Sequence, residues 1–415
     1  MRYIRENQAE LERLLADLIA FETPCPPGRN TAGVQAYVAE YLRGLGFAID
    51  QWDLFPGDPN LAGVREGDPA YHSLIINGHL DVAEVGDTGE WTVPPYQLTR
   101  RGSRVLGRGV ADMKGGVAAA LFALKALKET GGLPPGKIIF QSVTGEEMGE
   151  AGTRSCNERG YTADFAIVPD TSDLQIQGQG GVITGWITIQ SPQTFHDGNR
   201  ARLIHAGGGL YGASAIEKMM KVIAALQDLE RHWAVTKRCE GFAPGSNTIN
   251  PAVIEGGRHP AFIADRCALW ITVHFYPGET YESVSREIEQ HVLAAAAADP
   301  WLREHPPTFN WGGRSMIVDR GEIFPALPLP VEHPGVQLLA QHAEQATGRA
   351  AVLGMANTVT DAGWLGEMGI PAVICGPGEL KWAHAVDESV EWEQLLQAAE
   401  LYAGFIKDWC GRKRP

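Results

Sequence analysis

No run of apolar residues in the 415-residue sequence approaches the roughly 20 that a membrane-spanning helix requires. Positive charge is also scarce, because 35 Lys and Arg residues face 50 Asp and Glu residues and leave a net charge of −15. A chain this acidic is a poor partner for nucleic acid or for an anionic membrane surface. We therefore expect neither a nucleic acid nor a membrane as its partner.

Cysteine pairs are absent as well, since the six cysteines are scattered and no two of them form a Cys-x-x-Cys sequence. This spacing argues against a disulfide framework and favours reduced, mostly buried thiols. The N-terminal stretch MRYIRENQAELERLLADLIAF is charged, has a helical pattern and lacks the apolar core of a signal peptide. Together these features predict a cytoplasmic protein.

The order of predicted elements indicates an interrupted α/β protein. Helical patterns alternate with apolar strands in the first part of the chain, and the same alternation returns after PALPLP. Between them, GVITGWITIQ has the alternation of a half-exposed strand and begins a region of mixed strands and helices. We predict an α/β layered domain with a mixed sheet, formed by residues 1–180 and 318–415, and an inserted α+β domain at 181–317.

Histidine and acidic residues end several of the predicted strands. His79 and Asp81 end the strand of LIINGHLD, where i and i+2 residues share a face. Glu146 and Glu147 follow the strand KIIFQSVT, and Asp170 ends FAIVPD. Because ligands of open α/β sheets collect at the carboxyl ends of strands, we expect these side chains to meet.

Two more candidates come from other parts of the chain. Asp112 in GRGVADMKGG lies at the predicted start of a helix, where the helix dipole favours a carboxylate. His384 lies in the glycine-containing loop GPGELKWAHAVDES. Histidines combined with carboxylates suit zinc, manganese or cobalt, and this number of donors suffices for two ions that share one acid.

Each of these residues also has a simpler interpretation. Asp112 could be a helix cap, the pair Glu146 and Glu147 could lie on a solvated surface, and His384 could be a loop residue without a function. His79 and Asp81 are harder to explain in this way, because burial on an apolar strand penalises both groups. Their joint placement at strand ends favours a metal site.

Six strings in this sequence occur in the same order in a known family: NGHLDV, GRGVADMKGGVAA, GEEMGEAGT, HAGGGLYGASAIEK, SNTINPAVIEGG and GPGELKWAHAVDE. Through them the chain resembles the dinuclear zinc amidases and peptidases. That family includes acetylornithine deacetylase, succinyl-diaminopimelate desuccinylase, aminoacylase and the bacterial glutamate carboxypeptidases. The strings span most of the chain, and they are far more specific for the family than for a substrate.

The resemblance implies two divalent metal ions, zinc or else cobalt or manganese, and a catalytic role for the α/β domain. The implied ligands are His79, Asp112, Glu147, Asp170 and His384. Asp112 is implied to bridge the two ions. The carboxylate of Asp81 is a candidate partner for the second ring nitrogen of His79. The resemblance further implies that Glu146 is the general base and that Asp81 orients His79.

The inserted domain resembles the family's lid and dimerisation domain, which implies a homodimer. His205 in LIHAGGG matches a histidine that polarises the scissile carbonyl in the partner subunit's site; nearby His196 fits less well, since only His205 precedes the AGGGLYGASAIE sequence. Asn247 in GSNTIN matches a lid asparagine near the substrate.

One departure from the family concerns the substrate. In WITVHFYPGET, His274 stands where the amino-acid deacylases have an arginine for the substrate carboxylate, and imidazole does not reproduce a bidentate guanidinium contact. The strings TVHFYPGETYESV, ADPWL and SMIVDRGEIFP resemble the formylaminopyrimidine deformylases of thiamine-precursor salvage. These features predict an amidohydrolase that removes a formyl or acetyl group from a small amine, such as an N-formyl-aminopyrimidine.

Two other functions stay open at this point. An acetylornithine deacetylase or dipeptidase would recognise a substrate carboxylate through another basic residue, with Arg200, Arg202 and Arg314 as candidates. A non-catalytic binding protein on the same scaffold is disfavoured, because the implied base and all the implied ligands are present.

Overall fold

The computed structural model of the chain describes residues 2–26, 30–149, 151–203 and 207–415. These residues form two compact units. Unit 1 comprises the described residues up to Gln179 together with Leu327–Pro415, and unit 2 is Gly180–Ala326. The expected boundary after residue 317 lies too early, because Ile323 and Phe324 pair with the first strand of unit 2.

The described residues form ten α-helices, and none of these is long and apolar enough to cross a membrane. Their bounds are α1 Arg2–Glu6, α2 Gln8–Ala20, α3 Ala32–Gly44, α4 Lys114–Thr130, α5 Gly152–Glu158, α6 Ala215–Thr236, α7 Tyr281–Ala297, α8 Pro334–Thr347, α9 Ala362–Glu367 and α10 Trp392–Cys410.

The same residues form eighteen β-strands. In unit 1 these are β1 Ala48–Phe55, β2 Asp58–Arg65, β3 Leu74–His79, β4 Thr99–Arg101, β5 Arg104–Leu106, β6 Ile138–Val143, β7 Phe165–Thr171, β8 Ile176–Gln179, β16 Leu353–Ala356, β17 Ala372–Gly376 and β18 Ser389–Glu391. In unit 2 they are β9 Gly181–Gln190, β10 Phe195–His196, β11 Ile249–Gly256, β12 Phe262–Ile263, β13 Arg266–Phe275, β14 Thr308–Trp311 and β15 Ile323–Phe324.

An eight-stranded sheet forms the centre of unit 1, with the order β1-β2-β6-β3-β7-β17-β8-β16. The strands β6, β3, β7 and β17 run parallel to one another, whereas β1, β2 and β8 each pair with a neighbour in the antiparallel direction. The predicted α/β fold with a mixed sheet is therefore confirmed.

Burial explains why the central strands have nearly continuous apolar sequences. Every residue of β3, β6 and β7 is buried, which is typical of parallel strands covered by helices on both faces. The helix α4 contributes thirteen buried residues to this core, many of them alanine, so it can approach the sheet closely.

Gly116 in the first turn of α4 shows how close this approach is. A Cβ atom at Gly116 would lie 1.8 Å from the carbonyl oxygen of Pro169, the residue before Asp170. Only glycine fits at such a distance. The start of α4 is therefore fixed against the carboxyl end of β7, which places the loop before α4 beside Asp170.

A small three-stranded sheet, β18-β5-β4, joins two distant parts of unit 1. Its register pairs Leu106 with Ser389 and Arg104 with Glu391. The loop that follows β5 and the loop that precedes β18 are therefore neighbours, although roughly 280 residues separate them in sequence. These two loops contain Asp112 and His384.

Unit 2 has its own sheet, with the order β11-β13-β9-β14, and β15 pairs with the first residues of β9. The helices α6 and α7 pack with this sheet around a separate core that includes Trp233, Leu269 and Ile288. Unit 2 has its own core and lies in sequence between the two segments of unit 1, so it has the organisation of an inserted domain.

A buried ion pair joins α6 to the segment that directly follows α7. Lys218 Nζ lies 2.9 and 2.7 Å from the two carboxylate oxygens of Asp299, and both side chains are nearly buried. Asp299 Oδ1 also accepts the backbone N–H groups of Trp301 and Leu302. Lys221, which is largely exposed, also lies 2.7 Å from Asp299 Oδ2. Burial alone would raise the pKa of Asp299, but the two lysines and the backbone donors together hold it well below its ordinary value.

Replacement of Asp299 by asparagine should destabilise the fold by about 2–3 kcal/mol, because Lys218 would keep a buried charge without its counter-ion. Chemical denaturation of native and variant protein at pH 7 measures this difference. Since the folded-state pKa of Asp299 is depressed, its contribution is present above the unfolded-state pKa of about 4 and is lost as the pH falls below it. The difference between native and D299N protein should therefore shrink in acid.

Asp228→Asn is the matched control, because Asp228 is exposed on α6 and pairs with Arg231 one turn away. We expect D228N to change the unfolding free energy by less than about 0.5 kcal/mol. Equal losses in the two variants would contradict the role given to the buried pair.

Candidate metal centre

Strand ends and two loops bring the predicted site residues of unit 1 together. The strand β3 ends at His79, the turn after β6 contains Glu146 and Glu147, and Asp170 lies at the end of β7. Because these three strands are parallel neighbours, their carboxyl ends meet at one edge of the sheet. The loop before α4 and the loop before β18 complete the cluster.

Asp112 occupies the centre of this cluster. Its Oδ1 lies 3.1 Å from Nε2 of His79, and its Oδ2 lies 3.3 Å from Nε2 of His384. Asp112 precedes α4 by two residues and does not cap it, so the predicted position at the helix start is corrected. The carboxylate instead lies between two imidazoles, where each oxygen faces one ring.

Glu147 lies on the side of His384, and Asp170 lies on the side of His79. Glu147 Oε2 is 2.8 Å from His384 Nε2, and Asp170 Oδ2 is 4.0 Å from His79 Nε2. One donor atom each from His79, Asp112 and Glu147 lie within 4.8 Å of one another, a spacing that could hold a metal ion. The structure thus groups all five residues that the resemblance implied as ligands.

Glu146 is the next neighbour of this group. Its Oε2 lies 3.9 Å from His79 Nε2, on the same side of the cluster as Asp170. The short 3-10 turn Glu146–Met148 has a glycine in the left-handed conformation at each end, Gly145 and Gly149. These two glycines reverse the chain tightly and direct both adjacent glutamates into the site.

Asp81 contacts His79 in a different way from the one expected. His79 Nδ1 lies 3.0 Å from the backbone carbonyl oxygen of Asp81 and 3.7 Å from its carboxylate. The carboxylate accepts the backbone N–H groups of Gly145 (2.9 Å) and Glu147 (3.0 Å) instead. Asp81 therefore orients the His79 ring through its main chain and fixes the glutamate turn through its side chain.

The cluster has more negative than positive charge. Burial, reinforced by the Asp112 carboxylate, raises the pKa values of Glu147 and Asp170 to about 7. Burial also raises the pKa of Glu146 well above its ordinary value. Hydrogen bonds to Asp112 and Glu147 raise the pKa of His384 to about 11. Four carboxyl groups share two imidazoles, an arrangement that a bound cation would stabilise.

One buried carboxylate oxygen in the cluster indicates that a further ligand binds there. Glu147 Oε1 is buried and has no hydrogen-bond partner among the residues that the structure describes. An unpaired buried carboxylate oxygen is costly, so such an atom usually has a bound ion or water as its partner. The nitrogen and oxygen donors around it suit a borderline or hard cation.

Asp361 is an additional acid in the site that the sequence did not reveal. It is buried at the start of α9, and its charge acts on Glu146 across the site. Burial raises the pKa of Asp361 to about 7, although a hydrogen bond from Thr153 opposes this shift. Its sequence context, NTVTDAG, has no predicted strand before it, so no pattern connected it with the other acids.

The remaining candidates lie in unit 2 or outside the described residues. Asn247 is buried, and its side chain donates to Glu279 Oε2 at 2.9 Å, while its Oδ1 has no hydrogen-bond partner within the described part of the chain. His274 lies on β13 and is exposed at its surface. His205 lies outside the described residues.

Comparison with known proteins gives a consistent result. Two curated relatives, from Halalkalibacterium halodurans and Bacillus subtilis, are 57% and 56% identical to the chain over 99% of its length and over 96% and 97% of their own. Each is named N-formyl-4-amino-5-aminomethyl-2-methylpyrimidine deformylase.

A solved structure, the M20 family metallo-carboxypeptidase from Sulfolobus solfataricus, shares the fold with a TM-score of 0.74 at 17% identity, covering 96% of this chain and 98% of its own. The family described as Peptidase family M20/M25/M40 matches residues 75–408, which is most of the chain. The family predicted from the six strings is thereby confirmed: the chain belongs to the peptidase family M20/M25/M40.

Proposed function

We propose that the chain is a metal-dependent amidohydrolase that removes the formyl group from an N-formyl-aminopyrimidine. The observation that supports this most strongly is the identity of more than half of all residues, along nearly the whole chain, with two deformylases of that substrate class. The cluster of His79, Asp112 and Glu147 in unit 1 provides the chemistry that such a reaction needs.

The donor atoms support two cation positions with Asp112 between them. His79 and Asp170 would complete the first position, and Glu147 and His384 would complete the second. Zinc is the proposed metal, since mixed imidazole and carboxylate donors suit it, and cobalt and manganese suit the same donors. When bound, the cations supply the positive charge that makes water nucleophilic at neutral pH and polarises the amide carbonyl.

Glu146 is the proposed general base. Its carboxyl group lies beside the cluster but not at hydrogen-bonding distance from His79, so it is free to meet the attacking water. A base in this position takes the proton of the water and passes it to the departing amine nitrogen. Burial holds the pKa of Glu146 above its ordinary value, and a nearby cation would bring that pKa back down.

Asp81 holds in position both the turn that contains Glu146 and the ring of His79. Its carboxylate holds the N–H groups of Gly145 and Glu147, so the turn that contains Glu146 cannot move independently of β3. Its carbonyl oxygen accepts the Nδ1–H of His79, which leaves Nε2 facing the cluster. We assign Asp81 to positioning.

Unit 2 is proposed to act as the lid and as the contact between two subunits. The strand β11 lies at the edge of its sheet, and Val253 and Ile254 on it are about half exposed. Ile216 and Met220 of the neighbouring helix α6 are also exposed. An apolar edge strand beside an apolar helix face is a favourable surface for a second copy of the chain.

In such a homodimer, His205 and Asn247 would contact the substrate. By the family resemblance, His205 would reach into the partner subunit's site and stabilise the developing oxyanion. Asn247 has a buried carbonyl oxygen without a hydrogen-bond partner in the described residues, so it could accept one from the substrate. Both roles are part of this proposal.

The position of His274 supports a substrate without a carboxylate. His274 is exposed at its surface, yet the residues around its ring desolvate it enough to lower its pKa, so the ring is neutral near pH 7. A neutral imidazole provides no charge for a carboxylate, but it can exchange hydrogen bonds with the nitrogen atoms of a heterocycle. This chemistry suits an aminopyrimidine better than an acetylated amino acid.

Glu146→Gln should reduce turnover by about 10²–10⁴-fold while the protein keeps its bound metal, because it removes a proton acceptor and not an implied ligand. The measurements are kcat on the formylated pyrimidine and metal content of the purified protein. Glu158→Gln, an exposed position on α5 paired with Arg154, is the control and should behave as native protein. Full turnover in E146Q would remove Glu146 from the mechanism.

Removal of metal by a chelator should abolish amide hydrolysis, and the addition of zinc, cobalt or manganese should restore it. The reason is that the carboxyl groups of the cluster outnumber its two imidazoles, so bound cations would supply the net positive charge that activates water. Hydrolysis rates are measured before chelation, after it and after each metal is returned. A chelated, metal-free protein that hydrolyses its substrate at the original rate would contradict the metal-dependent reaction.

A panel of substrates tests which class of amide the protein hydrolyses. We expect kcat/KM for an N-formyl-aminopyrimidine to exceed that for acetylornithine and for simple dipeptides by at least about 10²-fold, since His274 provides no bidentate partner for their carboxylates. Turnover of acetylornithine alone would instead support a carboxylate-recognising deacetylase.

A further inference from the structure

A second buried ion pair lies next to the cluster, formed by Arg108 and Glu388. Arg108 Nη1 donates to Glu388 Oε2 at 2.8 Å, and both side chains are almost entirely inaccessible to solvent. Neither residue has a donor atom in the group that could hold a metal. We propose that Arg108 and Glu388 are positioning residues that fix the separation between Asp112 and His384.

Glu388 holds the loop that contains Asp112. Its Oε1 accepts the backbone N–H groups of Ala111 (2.8 Å) and Asp112 (3.0 Å), and its Oε2 accepts that of Gly109 (3.0 Å) in addition to Arg108. Four donors satisfy a carboxylate completely. The main chain of Asp112 is therefore bound directly to Glu388, so a shift of this carboxylate would move Asp112.

Arg108 holds the loop that contains His384. Its Nη2 donates to the carbonyl oxygens of Glu84 (2.9 Å) and His384 (3.3 Å), and its guanidinium lies over the ring of Trp91. A guanidinium group can make these contacts at the same time because its donors point in several fixed directions. The pair thus connects the main chains of Asp112 and His384 through one buried contact.

His384 depends on such a connection more than His79 does. The His79 side chain is 1% exposed and is fixed by the packing around β3, whereas the His384 side chain is 56% exposed. His384 also has a φ of 60°, in the left-handed region that residues other than glycine rarely adopt. With little packing around the ring, the position of the imidazole depends on its main chain and on its contacts with Glu147 and Asp112.

The inference rests on the proposed function, because its consequence is an effect on metal binding. The cation position between Asp112, Glu147 and His384 requires the loop of Asp112 and the loop of His384 to keep their spacing. The position between His79 and Asp170 depends on strand ends that Arg108 does not contact. Loss of the Arg108 contacts should therefore weaken binding of the ion at Asp112, Glu147 and His384 much more than binding of the other ion.

The test uses Arg108→Lys in the full chain. Lysine can still pair with Glu388, but a single ammonium cannot also reach the carbonyls of Glu84 and His384 in the same geometry. We expect the variant to keep one zinc ion with native affinity and to bind the second about 10–100-fold more weakly. Competition with a chromogenic chelator for added zinc measures both affinities in metal-free protein, without reference to activity.

Arg104→Lys is a closely matched control. Arg104 pairs with Glu391 at 2.8 Å, donates to the carbonyl oxygen of Ser389 and lies over the ring of Trp382, so its contacts resemble those of Arg108, although its side chain is 26% exposed against 2% for Arg108. It contacts neither Asp112 nor His384. We expect R104K to bind two zinc ions as the native chain does, and melting temperatures will show how far each variant destabilises the fold.

A second variant, Glu388→Gln, should weaken the binding of both ions. The reason is that Asp112, a proposed ligand of each ion, would lose the carboxylate that holds its main chain. If this variant does not fold, R108K still decides the question. Native affinity for both ions in R108K, or equal weakening in R108K and R104K, would overturn the inference and leave the proposed function intact. Failure of the native chain to bind zinc, cobalt or manganese would overturn the proposed function itself, and the inference with it.

Discussion

The carboxylate of Asp112 lies between two imidazoles, and the arrangement of the other site residues depends on this placement. Each of its oxygens faces one histidine, so both contacts depend on where the loop before α4 lies. Two contacts fix that loop: Gly116 packs α4 against Pro169, and Glu388 binds the main chain of the loop. The fold thus fixes Asp112 through the helix that follows it and through the main chain of its own loop.

Gathering four carboxyl groups at one sheet edge costs free energy that the histidines alone do not offset. Burial and mutual repulsion raise the pKa values of Glu147 and Asp170 to about 7, and Glu147 Oε1 has no hydrogen-bond partner among the described residues. Such strain is typical of sites that bind a charged ligand. Bound cations would turn the repulsion among these acids into attraction, so metal binding and folding stabilise one another.

The sequence was informative wherever a residue followed a strong strand signal. His79 and Asp170 lie at the ends of β3 and β7, and Glu147 lies in the turn after β6. All three strands begin with apolar residues, and the rule that strand ends meet was enough to group these side chains. The mixed sheet and the insertion were predictable for the same reason. The boundary at 317 was wrong because Ile323 and Phe324 form only a two-residue strand, which is too short to produce a pattern.

Other features depend on contacts that no local pattern contains. Arg108 and Glu388 are 280 positions apart and meet only because β5 pairs with β18, two strands of three residues each. Asp361 enters the site from a loop without a preceding strand signal. The side chain of Asp81 was expected to hold His79, but two backbone donors nearby compete for the same carboxylate. Predicting these contacts would have required the tertiary structure.

The strand β17 has a consequence for the order in which the molecule can form. It lies in the interior of the main sheet, between β7 and β8, yet it belongs to the segment synthesised after unit 2. A nascent chain that has reached the end of unit 2 still lacks this interior strand, and it also lacks His384. Unit 2, with its own core, can fold early, whereas the main sheet must wait for pairings over very long sequence separations. Assembly of the cluster consequently has to wait until the segment after unit 2 has been synthesised.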